Sequence, residues 1–180
     1  MIKSRFPETF PRIETTRLIL REIAQDDASG IFKNFSDPEV SKWFFEQPLS
    51  EMDQVTQIID EFNREFVQGK GLTWAIILKE NGTCIGTCGY GDVGSSDRGE
   101  IGFDLAKELW GKGLMAEGLT AIIDYGFEVL NLLKVEAHTY SHNTRAIRLL
   151  EKLGFRLDNV SEDSHYYSLS NEYWDSSHSR

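Results

Sequence analysis

Apolar and polar positions alternate first in TTRLILREI (residues 15–23), where Leu18 and Leu20 fall against Arg17, Ile19 and Arg21. A period of two predicts a half-buried strand. The spacing turns helical in AQDDASGIFKNFSD, with Asp26 or Asp27 as N-cap and Pro38 closing the segment. A clearer helix follows. Val55, Ile58, Ile59, Phe62 and Phe66 recur at helical spacing, Ser50 with Asp53 resembles a capping box, and Gly69 and Gly71 end the run. Three strand-like segments come next: LTWAIILK (72–79), CIGTCGYG (84–91) and GEIGFDL (99–105). Asn81-Gly82 between the first two is a hairpin signal, so the three form an antiparallel meander.

The pattern then changes. Leu114, Leu119, Ile122, Ile123, Phe127 and Leu130 mark an amphipathic helix, and KVEAHTY (134–140) reads as a strand. Asn143 caps a helix carrying Ile147, Leu150 and Leu153, with Gly154 at its C′ position. FRLDNV and SHYYSLS are the last strands, and the small, polar DSSHSR at the end is expected to fray. Strand, helix, strand, helix, strand predicts parallel pairing through crossovers. An antiparallel front and a βαβ-like back make an α/β chain with a mixed sheet.

The 180 residues suit one domain, and 40% hydrophobic content can build its core. No apolar run reaches the ~18 residues of a membrane span. The stretch MIKSRFPETFPRIETTR lacks the apolar core of a secretory signal, so a cytoplasmic protein with no membrane partner is expected. The net charge of −10 argues against a nucleic-acid partner, which needs clustered Lys and Arg. It suits a cationic substrate, and it serves solubility equally well. Cys84 and Cys88 are four apart along a strand, on one face and ~13 Å apart, too far for a disulfide. His138, His142, His165 and His178 show no metal-ligand spacing with them, so no metal is expected.

One stretch breaks its own pattern. LWGKGLMAEGL (109–119) puts Gly111 and Gly113 at the head of a helix, although each glycine costs roughly 1 kcal/mol of helix stability. Unpaired N–H groups and the helix dipole gather at such an end, and glycine lets an anion approach the backbone. Lys112 adds charge. The same glycines equally suit a tight turn needing a positive φ. No Gly-Lys-Ser/Thr ends the loop, and Ala116 stands where a Gly-x-Gly-x-x-Gly pattern needs its last glycine.

With three further segments, this loop resembles the GNAT superfamily of acetyl-CoA-dependent N-acetyltransferases. The likeness within it is to the Rim-type group, which acetylates ribosomal-protein N-termini. The family's Arg/Gln-x-x-Gly-x-Gly/Ala loop appears here as Trp110-Gly111-Lys112-Gly113-Leu114-Met115, followed by a helix with Glu117. NTRAIRLLEKLGF (143–155) is similar to the family's Asn-x-x-Ala/Ser helix, TTRLILREI to its opening strand, and HYYSLSNEYW (165–174) to its closing strand and Trp.

The resemblance implies one acetyltransferase domain over 1–180, with its core in 15–174. Its fold would be a mixed, mostly antiparallel sheet of about seven strands, splayed between the fourth and fifth and flanked by about four helices. Acetyl-CoA would be the co-substrate. Its arm would pair with backbone near Phe103 and Leu105 and bond Asn143. Its pyrophosphate would rest on N–H groups of Gly111, Lys112, Gly113, Leu114 and Met115. The acceptor would be an amine: a protein N-terminus of the ribosomal type or, alternatively, a small cationic amine such as a polyamine or antibiotic. A non-catalytic acyl-CoA-binding protein is a further alternative. The molecule would be a monomer or homodimer.

Acetyl transfer needs a deprotonated amine, and amines with pKa near ~8 to ~10.4 are mostly charged at neutral pH. Glu100, opening the EIGFDL strand, is the candidate base. The usual proton donors are replaced: Leu150 stands at the family's Tyr position and Ala146 at the Rim-type Ser position. Tyr140 and Ser141 are the remaining candidates. Met115 replaces a small residue of the loop. Trp43, Phe44 and Phe45 fall where the family shapes its acceptor pocket.

Overall fold

The computed structural model describes residues 6–93 and 97–178, with side chains through Asp175. Its centre is an eight-stranded sheet in the order β1-β2-β3-β4-β5-β6-β8-β7. The strands are β1 (Ile13–Glu14), β2 (Leu18–Glu22), β3 (Leu72–Leu78), β4 (Thr83–Gly91), β5 (Arg98–Leu105), β6 (Lys134–Tyr140), β7 (Arg156–Val160) and β8 (Ser164–Ser170). Six α-helices lie among the described residues: α1 (Ala28–Ser36), α2 (Pro38–Ser41), α3 (Met52–Val67), α4 (Leu114–Glu128), α5 (Thr144–Lys152) and α6 (Asn171–His178). No helix among them is long and apolar enough to cross a membrane.

The meander forms as its alternation predicts, β3, β4 and β5 pairing antiparallel. Two cores sandwich it. The first packs Leu119, Ile122 and Ile123 of α4 against Leu18, Leu20, Trp74 and Tyr90. The second packs Ile31 and Phe35 of α1 and Val55 and Ile59 of α3 against Ala75, Ile77 and Cys84. Each fully buried aliphatic side chain contributes roughly 1.5–3 kcal/mol.

Several local expectations are corrected. The strand-helix alternation at the back gives only one parallel pair, β5 with β6. β6 and β7 do run parallel, but β8 lies between them and pairs antiparallel with both. The short turn at Ser161–Ser164, closed by a 2.8 Å bond from Ser161 N–H to the Ser164 carbonyl, folds β8 straight back alongside β7. Asp27 precedes α1 without capping it. It accepts instead from the Ala24 N–H at 2.9 Å and pairs with Arg21. Pro38 does end α1, yet it also starts α2, which Asp37 caps through a 2.8 Å bond from the Glu39 N–H. The box opening α3 uses Gln54 rather than Asp53: its Oε1 accepts from the Ser50 and Glu51 N–H groups, each at 3.0 Å. The closing Trp174 sits on a helix, α6, with its indole N–H on Asp124 at 2.7 Å. The end expected to fray is thus helical to His178, and residues 179–180 lie outside the described residues.

The two cysteines do not share a face. Cys84 packs in the α1–α3 core and Cys88 in the α4 core. The reason is a bulge: Ile76 pairs with Gly86 but Ile77 with Cys84, which leaves Ile85 as an extra residue in β4. Both thiols are free and buried, and burial pushes the Cys84 thiol up to about 12.

The feature that makes a site is where pairing stops. β5 and β6 pair only at Arg98–Lys134, Gly99–Val135 and Glu100–Glu136. Beyond Glu100 the strands part, while β5 stays paired with β4 and β6 with β8. This is the splay expected between the fourth and fifth strands, which are numbered β5 and β6 once the two-residue β1 is counted.

Candidate functional site

Two cavities meet at the split. The first, about 360 Å³, is lined by Phe103, Leu105, Trp110, Gly111, Gly113 to Ala116, Asn143, Arg145 and Lys152, with Val40 and Phe44. The second, about 700 Å³, is lined by Trp43, Phe44, Phe45, Phe62, Glu65, Glu100, Asp104, His138, Tyr140 and Tyr166 among others. Trp43, Phe44, Phe103, Asp104, Asn143 and Ala146 border both.

The glycine loop shapes the first. Gly111 and Gly113 both have φ of 76°, in the left-handed region that favours glycine. The tight-turn explanation therefore holds for both glycines, and the turn does something further. The first helical bond of α4 runs from the Glu117 N–H to the Gly113 carbonyl at 3.1 Å. Among the described residues, no protein acceptor takes the N–H groups of Gly111 through Ala116. Bare N–H groups and the dipole of α4 make this end anion-attracting. Met115 is buried in the α4 core, so its length is spent on packing. Lys112 lines neither cavity, and Arg145 and Lys152 supply the cations instead.

The loop is tied down from outside. Glu117 Oε1 accepts from the Arg17 N–H at 2.7 Å and from Thr15 Oγ1 at 2.5 Å, and its Oε2 accepts from Arg17 Nε at 2.7 Å. Arg17 Nη1 also donates to the Lys112 carbonyl at 2.9 Å. Burial pushes the Glu117 carboxyl up, but the bonds from Thr15 and Arg17 outweigh it and hold its pKa below the usual range. Trp110 donates from its indole N–H to the Leu105 carbonyl at 2.8 Å, and the Arg145 guanidinium lies 4.4 Å over its ring. The Leu105 carbonyl is thus already engaged, whereas the edge of β5 toward β6 is open past Glu100.

Asn143 caps α5, accepting from the Ala146 N–H at 3.3 Å, and borders both cavities. Glu100 is the last residue of β5 paired with β6 and faces the second cavity. Its Oε1 is in hydrogen-bond contact with His138 Nδ1, from the first part of β6 past the split. Their side chains are 51% and 59% exposed, so solvent can carry protons to and from them. The His138 ring stacks on Tyr166, with centroids 6.0 Å apart. Tyr140 lines the second cavity, near Trp43 and His142, whereas Ser141 lines neither. Ala146 and Leu150 are buried at the site and carry no transferable proton.

Asp104 stands where the cavities meet. It is 5% exposed, and burial lifts its pKa to about 6, against hydrogen bonds from Thr87 and Asn34. The Thr87 N–H and the Asn34 amide donate to it, each at 3.1 Å. His138, Arg145, Asp104 and the Arg17–Glu117 tie are the parts that sequence reasoning missed. Arg145 alone had a local signal, two residues after Asn143. Among the described residues no cluster of three His, Cys, Asp or Glu is gathered for a metal.

The model of the acetyltransferase (GNAT) domain matches residues 17–156. An uncharacterized N-acetyltransferase, p20, of Bacillus licheniformis is 37% identical over 150 residues, 83% of this chain and 84% of that one. A GNAT-family acetyltransferase of Bacillus anthracis superposes with a TM-score of 0.80 at 22% identity, covering 90% of this chain and 99% of that one. A ribosomal-protein alanine acetyltransferase of Vibrio fischeri superposes with a TM-score of 0.74 at 22% identity, covering 91% and 98%.

Proposed function

The chain belongs to the GNAT acetyltransferase family, and from that premise we propose that it moves the acetyl group of acetyl-CoA onto a primary amine, with Glu100 and His138 receiving the amine's proton. The observation that carries this reading is the Glu100–His138 contact at the point where β5 and β6 part, between an N–H-lined cavity and an acid-lined one.

Each residue has a part. The N–H groups of Gly111, Lys112, Gly113, Leu114 and Met115 hold the pyrophosphate, with Arg145 and Lys152 at the rim. The open edge of β5 at Phe103 and Leu105 takes the pantetheine arm as an added strand, and the Asn143 amide bonds it near the thioester. The amine attacks the thioester carbonyl carbon. The N–C bond forms, the C–S bond breaks, and the proton passes to Glu100 and His138. Base assistance of this kind contributes roughly 10²–10⁴ in rate. Tyr140 is the one hydroxyl donor among the expected pair that lines the site. With a thiol pKa near ~8.5, the thiolate also leaves tolerably without a donor, and proximity supplies most of the remainder.

A protein N-terminus of the ribosomal type is the acceptor suggested by the Rim-type motifs, and the Vibrio fischeri neighbour supports it only through the fold. A small cationic amine is supported by the carboxylates of the second cavity. The test is acetyl-CoA binding followed by thiol release with a panel of ribosomal N-terminal peptides and small amines. Saturable release with some amine is expected. Failure to bind millimolar acetyl-CoA overturns the reading. Binding without transfer to any amine makes the protein an acyl-CoA-binding one.

A further inference from the structure

We propose that the second cavity takes a small diamine, its reacting nitrogen at Glu100 and its second, cationic nitrogen at Glu65. This deepens the acetyltransferase reading and rests on it. The two carboxylates are placed by the sheet. On β5, Ile101 packs in the α4 core, so Glu100 and Gly102 face the opposite side. Tyr90 likewise turns inward, so Gly91, which pairs with Glu100, shares that outer face. Leu72 pairs with Tyr90, which brings Gly71 next in line beside Gly91. Glu65 reaches down from α3 onto Gly71: a Cβ there would lie 2.9 Å from Glu65 Oε2. Gly71, which Glu65 overlies, and Glu100 are thus about two strand spacings apart, ~10 Å from backbone to backbone, on one surface.

The surface between them is bare. A Cβ on Gly91 or Gly102 would meet nothing within 4 Å. Trp43, Phe45 and Phe62 wall the cavity, and among the described residues no Lys or Arg lines it. Aromatic faces suit both a methylene chain and an ammonium group. The volume of about 700 Å³ fits a small organic ligand. A peptide N-terminus would instead bring one charge and a string of amides to walls built mainly of aromatic carbon.

Glu65 has no cation within ion-pair distance among the described residues. Its burial and the nearby Glu61 push its pKa up, and Lys70 only partly opposes them. A second ammonium settling there would relieve this. Asp104, also in the cavity, is already committed to Thr87 and Asn34.

The experiment compares heptamethylenediamine, whose nitrogens are ~10 Å apart when extended, with n-heptylamine and an alanyl peptide. Acetylation is followed by thiol release, and diamine binding to the CoA-loaded protein by calorimetry. The expected kcat/KM for the diamine exceeds that for the monoamine by about tenfold, as for one charge-assisted contact. Glu65→Gln brings that ratio toward one, and Gly91→Val, which fills the bare surface, weakens diamine binding. A wild-type ratio near one, a ratio untouched by Glu65→Gln, or better turnover of the peptide overturns the proposal while leaving amine acetylation standing. Diamine binding that weakens in Glu65→Gln, with no acetyl transfer to anything, supports the diamine site and overturns the acetyltransferase reading.

Discussion

The two cavities on either side of the split are built from opposite materials. The first offers main chain: the N–H groups of residues 111–116, which meet no acceptor among the described residues, held by two glycines at φ 76° and edged by Arg145 and Lys152. The second offers side chains: Glu65, Glu100 and His138 among aromatic rings, with no Lys or Arg among the described residues. A binding surface made of backbone depends on conformation and tolerates varied side chains, as Trp110 and Met115 in the loop illustrate. One made of side chains is retuned by single substitutions. On the proposed assignment, the difference explains why the donor end has a motif that can be read and the acceptor end has none.

The comparison is broken most severely at the loop. Gly113→Val imposes a β-branched residue on a left-handed conformation, at a cost of roughly 1–3 kcal/mol, and displaces the N–H groups. We expect kcat/KM for acetyl-CoA to fall about 10³-fold with the acceptor KM little changed, as measured by thiol release against each substrate in turn. A larger rise in the acceptor KM would contradict the division of labour. At the other cavity, Glu100→Gln should lower kcat about 10²-fold at neutral pH, with acetyl-CoA affinity by calorimetry unaltered. His138→Ala should cost less, and the double variant little more than Glu100→Gln alone, because the two residues act as a unit.

Two smaller effects sharpen the contrast. Glu117→Ala strands the Arg17 and Thr15 donors and should destabilise the protein by about 1–3 kcal/mol in chemical denaturation. It should also raise the acetyl-CoA KM several-fold, since the tie positions the Lys112 carbonyl. The least effect concerns pH. Asp104 has a folded pKa of about 6, raised by burial above the ~4 of an unfolded Asp. The folded state holds that proton more tightly, so its contribution is full below about pH 4 and is lost as pH rises to about 6. Denaturation across that range should show the decline, and Asp104→Asn should remove it.

The periodic parts of the fold were legible: the meander, α4, β6 and α5 all stand where their spacing put them. The glycine loop was legible because positive φ leaves a compositional mark. What stayed hidden depends on register and long-range approach. Glu100 and His138 are 38 residues apart and meet only because β5 and β6 align at Glu100–Glu136. Glu65 reads as one more acidic residue on the polar side of α3 until Gly71 is found beneath it. The pairing of β8 between β6 and β7 follows from a tight turn that strand periodicity does not encode.

The extra residue at Ile85 has a consequence beyond the cysteines. The Asn81-Gly82 turn and the run Gly86–Gly91 each demand their own parity of inside and outside, and the two demands disagree by one. The bulge absorbs that mismatch near the start of β4, so the hairpin can close while Thr87, Gly89 and Gly91 still turn toward the second cavity. Removing one residue there would make the strand regular. It would also force a choice between a well-formed hairpin and a cavity whose floor is glycine rather than Cys88 and Tyr90.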